Sequence, residues 1–216
     1  MQNMRPVGIL GGTFDPIHKG HTRLAREACL QLGLQQVRLI PVNIPPHRVA
    51  PVANAQDRLA MLELAIADES QLVIDDRELR QDKPSYTIGT LASLRKELGD
   101  TPLCLIMGAD VFQKIDSWYR WQEIPELAHV VIAQRPGVAT AWNTDINETI
   151  NDHTAADAAA LATKPAGLFY FMDFPPVNIS ATAIRHALAT NSPTDNWLHE
   201  STLNYIQEND LYRDAA

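Results

Sequence analysis

Cysteine is scarce in this chain: Cys29 and Cys104 are the only two among 216 residues, and both stand in apolar surroundings. That pattern favours buried free thiols in a reducing compartment over a disulfide framework. No apolar run is long enough to span a bilayer, and the first residues lack the basic stretch and apolar segment of a secretory signal. The expected location is therefore cytoplasmic, with no membrane partner. Basic side chains are outnumbered, 18 Lys and Arg against 26 Asp and Glu, and the formal charge of −8 argues against a nucleic-acid partner. Three common site signatures are also missing: the Gly-x-Gly-x-x-Gly dinucleotide turn, the Gly-Lys-Ser/Thr ending of a P-loop, and the His-Glu-x-x-His zinc helix. With no cysteine cluster to add ligands, no protein metal site is expected. No internal repeat interrupts the chain, and its 45% hydrophobic content is enough for a full core.

What is present is concentrated at residues 11–21, Gly11-Gly12-Thr13-Phe14-Asp15-Pro16-Ile17-His18-Lys19-Gly20-His21. The apolar run Val7-Gly8-Ile9-Leu10 before it reads as a buried strand, and Leu24, Ala28 and Leu32 after it follow helical spacing up to a stop at Gly33. The segment is thus a strand-to-helix turn, and the unpaired N–H groups of a helix start favour an anion. Paired glycines let backbone approach a phosphate chain, although an ordinary tight turn uses them equally well. His18 and His21, three apart on a first helical turn, can face one side and donate to phosphate oxygens.

A second polar cluster lies near the other end. Ile179-Ser180-Ala181-Thr182-Ala183-Ile184-Arg185 offers Asn178 or Ser180 as a helix cap, hydroxyls at the positive helix end, and a guanidinium suited to bidentate phosphate contact. Between the two clusters, strand-like runs alternate with amphipathic helices. Val37-Arg38-Leu39-Ile40 precedes a proline-stiffened loop, residues 41–48, that ends in His47 and Arg48. Leu72-Val73-Ile74 is a short strand, Thr87 to Leu98 a helix stopped by Gly99, and residues 102–107 a fully apolar strand running into Gly108 and Asp110. At the end of a central strand Asp110 could accept from ribose hydroxyls or simply cap the next helix. Tyr86, Trp118, Tyr119 and Trp121 could stack on a flat heterocycle or serve as core.

The motif Gly-Gly-Thr-Phe-Asp-Pro-Ile-His-x-Gly-His, followed far downstream by Ile-Ser-x-Thr-x-Ile-Arg, resembles the signature pair of nucleotidyltransferases that move an adenylyl group from ATP onto a phosphate monoester. The Pro-Pro-His-Arg loop, the Tyr86-Thr87 pair and the Trp118-Tyr119 pair are similar to elements of the bacterial nicotinate-nucleotide adenylyltransferases. The resemblance covers almost the whole chain and is weakest across residues 138–167. It implies a catalytic group of His21, His18 and Arg185. It implies further an ATP site drawn from Gly11, Gly12, Thr13, Phe14, His18, His21, Gly108, Asp110, Ile179, Ser180, Thr182 and Arg185. For nicotinate mononucleotide it implies Asn43, His47, Arg48, Tyr86, Thr87, Trp118 and Tyr119, with backbone amides at the aromatic pairs reading the nicotinate carboxylate. Mg²⁺ would arrive with ATP. One departure is the segment Phe174-Pro175-Pro176-Val177, where some relatives place a large aromatic.

Together these readings predict an α/β fold, a Rossmann-like doubly wound and mostly parallel sheet in one nucleotidyltransferase domain spanning 1–216. Residues 138–167 are expected as a variable polar insertion, and residues 180–213 as a C-terminal helical closure packed on the site helix. The expected reaction is adenylyl transfer from ATP to nicotinate mononucleotide, giving deamido-NAD and pyrophosphate in NAD biosynthesis. Nicotinamide mononucleotide or phosphopantetheine as acceptor, or a nucleotide-binding regulatory module without turnover, remain as alternatives. The sequence leaves a homo-oligomer open.

Overall fold

The structure is a computed structural model that describes residues 5–45, 50–134, 142, 144–151, 153–175, 177–194 and 196–213. Six strands form its frame: β1 (Val7–Gly12), β2 (Gln36–Pro41), β3 (Leu72–Ile74), β4 (Leu103–Gly108), β5 (His129–Gln134) and β6 (Phe169–Asp173). Among the described residues eight α-helices accompany them: α1 (Lys19–Leu32), α2 (Ala55–Ala65), α3 (Thr87–Leu98), α4 (Ala109–Phe112), α5 (Ile124–Leu127), α6 (Thr144–Asn151), α7 (Ala181–Ala189) and α8 (Glu200–Glu208). The strands run in the order β3-β2-β1-β4-β5-β6, and every pairing is parallel.

A sheet buried on both faces explains the unbroken apolar runs in the sequence. Alternate residues of one strand serve opposite cores. Leu10, Cys104 and Ile106 face a layer shared with Ala25 and Ala28 of α1 and Met61 and Leu62 of α2. Ile9, Leu105 and Met107 face the layer of Leu91 and Leu94 of α3 with Phe112 of α4. The strand order reverses between β1 and β4, so the chain leaves their carboxyl ends in opposite directions and a crevice opens there. Local stops fall where the sequence put them: Gly33, with φ of 61°, ends α1 and Gly99 ends α3.

Three features differ from the sequence reading. Strand β6 was not anticipated; its run Phe169-Tyr170-Phe171-Met172 is short, and it pairs with β5 from Val130↔Phe169 to Gln134↔Asp173. Within residues 138–167, the described part is less polar in effect than in composition. It holds α6 and a 3₁₀ turn (Ala158–Ala162), and Ile146, Ile150 and Leu161 are buried in the two cores. The C-terminal helix α8 packs on α2, with Tyr205 donating to Asp57 Oδ1 at 3.0 Å and Ser201 to the Leu64 carbonyl at 3.2 Å. Residues just before α8 reach the site helix: Lys19 N–H donates to the Trp197 carbonyl at 2.9 Å, and Thr22 Oγ1 lies 3.0 Å from His199 Nε2.

Both thiols are free and buried, as their surroundings implied. His129 is buried as well, accepting from Leu168 N–H at Nδ1 (3.1 Å) and lying 2.9 Å from the Lys164 carbonyl at Nε2. It staples the approach to β6 onto β5.

Candidate active site

The glycine turn at the end of β1 is shaped by Phe14. Its backbone takes φ of 47°, and its buried ring folds back beneath Gly12, where an added Cβ would stand 3.1 Å from the ring. A side chain at Gly12 would need the Phe14 ring to give by a few tenths of an ångström. The chain then enters α1 at His18, the N-cap residue, whose N–H donates to His21 Nδ1 at 3.3 Å. That bond places the neutral-ring proton of His21 on Nε2, making it a donor. The two imidazoles stack at 3.7 Å between centroids and 21° between planes, and Phe14 meets His21 edge-on at 5.0 Å.

Burial determines the charge of this pair. Desolvation lowers the His18 pKa to about 4, and burial together with the neighbouring His18 holds His21 well below its ordinary value. Both are neutral imidazoles near pH 7. The sequence reading expected them to donate to phosphate oxygens; burial adds that they do so as neutral rings. Positive potential comes from the start of α1, whose first turn carries no acidic residue, and from Arg185.

α7 reaches the turn from the far end of the chain. Ser180 caps it, accepting from Ala183 N–H at 3.2 Å, and Ile179 packs against the core. Arg185 Nη1 donates to the Asp15 carbonyl at 2.7 Å, while Nη2 lies 3.5 Å from Thr182 Oγ1. The two sequence motifs, 170 residues apart at this contact, thus form one surface. Ser180 and Thr182 are exposed beside it.

Three residues that the sequence reading passed over hold this surface together. Asp15 is buried, accepting at Oδ1 from Tyr212 O–H (2.7 Å) and Ala53 N–H (3.1 Å) and at Oδ2 from Val52 N–H (2.7 Å). Arg58, only 1% exposed, donates from Nη1 to the carbonyls of Thr13 (2.7 Å) and Val42 (2.8 Å), tying the loops after β1 and β2 to α2. Asp15 lies inside the quoted motif and could have been marked as polar and unassigned. Arg58 and Tyr212 gave no local signal, because their partners are remote in sequence.

A cleft of about 320 Å³ runs along the crevice between β1 and β4. Gly11, Gly12, Thr13 and His21 line it together with Gly108, Val111, Tyr86, Thr87, Trp118 and Tyr119. Tyr86 and Tyr119 approach to 5.0 Å between centroids, and Tyr119 is 56% exposed, so these rings are a rim and not core. Glu78 lines the same cleft, accepts from Thr90 Oγ1, and has its pKa raised, chiefly by burial.

The structure therefore brings nine of the expected positions to one cleft: Gly11, Gly12, Thr13, His21, Gly108, Tyr86, Thr87, Trp118 and Tyr119. It does not bring all of them. Phe14 and His18 are buried supports beneath His21. Asn43 spends its amide N–H on the Gln81 carbonyl at 2.7 Å, and Asp110 is exposed, its carboxylate crowding Gly108. His47 and Arg48 lie outside the described residues. A second hollow of about 450 Å³ beside β3 is lined by Arg38, Asp75 and Arg77, but these charges pair with one another and with Glu97. Among the described residues no three His, Cys, Asp or Glu side chains cluster as metal ligands, and no helix is long and apolar enough to cross a membrane.

This geometry has close relatives. Residues 9–187 match the family model described as cytidylyltransferase-like. A protein of Aeromonas salmonicida named probable nicotinate-nucleotide adenylyltransferase is 46% identical over 96% of this chain and 97% of its own. One of the same name from Methylococcus capsulatus is 41% identical over 95% and 99%. Among solved structures, the Plasmodium falciparum nicotinic acid mononucleotide adenylyltransferase complexed with NaAD superposes with a TM-score of 0.74 at 16% identity, covering 97% of this chain and 98% of that one. At that identity the likeness speaks for the fold, the Rossmann-like parallel sheet expected from the sequence. By the family match and the full-length curated relatives, this chain belongs to the cytidylyltransferase-like family and, within it, to the nicotinate-nucleotide adenylyltransferases.

Proposed function

We propose that this chain transfers the adenylyl group of ATP to nicotinate mononucleotide, releasing pyrophosphate and forming deamido-NAD for NAD biosynthesis. The observation that carries the reading is one cleft lined both by the glycine turn with His21 of α1 and by an aromatic rim. A phosphate chain suits the first group and a flat heterocycle the second.

In this reading an oxygen of the acceptor's phosphate attacks the α-phosphorus of ATP. One P–O bond forms there, and the bond from that phosphorus to the bridging oxygen of the β-phosphate breaks in line, with its electron pair leaving on pyrophosphate. The attacking oxygen is already deprotonated, so no general base is required. Catalysis then consists of positioning and of neutralising charge. His21 Nε2–H donates to the α-phosphate as charge moves, with His18 stacked beneath it to hold the ring. The amides of the glycine turn and of the α1 start cradle the phosphate chain, while Arg185 with Ser180 and Thr182 receives the β- and γ-phosphates. Mg²⁺ belongs to the substrate, carried on the triphosphate. The adenosine ribose is read as lying at the end of β4, at Gly108 in the cleft and Asp110 exposed just beyond it.

Tyr86, Thr87, Trp118 and Tyr119 supply stacking faces and backbone amides for the pyridine and its carboxylate, and Asn43, His47 and Arg48 belong to the loop assigned to the acceptor phosphate. Pyrophosphate release measured with ATP and nicotinate mononucleotide, nicotinamide mononucleotide or phosphopantetheine in turn tests the reading. Nicotinate mononucleotide should give the highest kcat/KM. A preference for either other acceptor, or no release with any, overturns it.

A further inference from the structure

Asp15 is a buried carboxylate next to a reaction that needs no base, so its burial calls for another account. Three donors occupy its oxygens: Tyr212 O–H and Ala53 N–H at Oδ1, and Val52 N–H at Oδ2. Arg185 Nη1 donates to the carbonyl of the same residue at 2.7 Å, yet stays 3.9 Å from Oδ2, the carboxylate oxygen that Val52 N–H holds. Four segments meet at this residue: the glycine turn, the entrance to α2, α7, and the tail beyond α8.

The 3.9 Å separation is the informative quantity. An arginine this close to a buried carboxylate closes into a direct pair unless the carboxylate is otherwise engaged, because a charge-assisted contact outweighs a neutral one. Tyr212 is the side chain that engages it, at the other oxygen, Oδ1. Its hydroxyl is held protonated by burial and by Asp15 itself, so it remains a donor. Tyr212 reaches Asp15 across 197 residues of chain, and the Tyr212 side chain is 4% exposed. Arg58 supports the same carboxylate electrostatically from beneath while fixing the carbonyls on either side.

We propose that Tyr212 is a positioning residue for the phosphate clamp: by hydrogen-bonding Asp15 it keeps the Arg185 guanidinium turned toward the triphosphate. Without the hydroxyl, Oδ1 regains a free acceptor site, Arg185 swings onto the carboxylate, and its N–H groups are lost to the β- and γ-phosphates. The inference rests on the adenylyl-transfer reading for the identity of the anion. It adds the C-terminal tail to the machinery.

A double-mutant cycle with Tyr212→Phe, Arg185→Ala and both together tests it, read as kcat/KM for ATP at saturating nicotinate mononucleotide and as ATP affinity by calorimetry without acceptor. Tyr212→Phe should lower kcat/KM about tenfold in the native background, the size of one lost hydrogen bond to a charged group, and less than about twofold where Arg185 is already alanine. An unchanged rate in Tyr212→Phe, or the same loss in both backgrounds, overturns the proposal. Circular dichroism checks that each variant is folded; if Tyr212→Phe is not, Tyr212→Met, which likewise lacks the donor, takes its place in the cycle with the same two outcomes. A native chain that releases no pyrophosphate refutes the proposed reaction instead, and the calorimetric arm still tests the positioning role.

Discussion

His18 and His21 lie face to face, 3.7 Å apart, and both are kept from taking up a proton in the neutral range. The stack is a rigid support for a single donor, not a pair of cations.

Two expectations follow from that pairing. His21→Ala should leave a folded chain whose turnover falls roughly 30- to 1000-fold, the loss of one transition-state donor. The native pH profile should show no histidine step near 6.5, since both rings are already neutral above that value. A bell with an acid limb at the ordinary histidine pKa would count against this electrostatic picture.

Stability should respond where activity does not. A histidine whose folded pKa lies below its unfolded one contributes stability that is complete above the unfolded value and is withdrawn as pH falls toward the folded value. For His18 the window runs from 6.5 down to about 4, and its share of the loss should reach about 3 kcal/mol. Chemical denaturation at several pH values should show the decline, and His18→Asn should flatten it.

Glu78 has the opposite sign. Burial raises its pKa, so the folded state favours the protonated carboxyl, and its contribution is lost as pH rises through the folded pKa. Glu78→Gln keeps an acceptor for Thr90 without the buried charge, and should raise the melting temperature at pH 8 more than at pH 5.

Gly8 is enclosed by three side chains: an added Cβ would stand 2.7 Å from Val37, 2.8 Å from Leu34 and 2.9 Å from Ile106. Gly8→Ala should therefore cost about 1–3 kcal/mol by overpacking, seen as a lower denaturation midpoint. Because β1 carries the glycine turn, substrate affinity should weaken in the same variant.

The sequence made these consequences visible unevenly. Strand β4 was legible because residues 102–107 are apolar without interruption, and Ser180 because a cap acts over three residues. β6 was missed because five residues are too few to establish a period against a polar, alanine-rich background. The neutrality of His18 could not be read at all: residue type and spacing say where an imidazole stands, whereas its charge depends on burial that only the assembled fold provides. Arg58 and Tyr212 were invisible for a related reason. Arg58 answers carbonyls 45 and 16 residues away, and Tyr212 answers a carboxylate 197 residues away, so no local pattern announces either.

The central place of β1 has a consequence for the end of the catalytic cycle. Its two neighbours, β2 and β4, head the two halves of the fold, and the cleft above them is open to both. Two ligands enter as separate molecules, each dissociating on its own, but the bond between them turns the pair into one bivalent guest. When either end lets go, the other keeps it nearby at millimolar effective concentration, and recapture competes with escape. On the proposed function, the exposed Tyr86–Tyr119 rim would be the end that opens first.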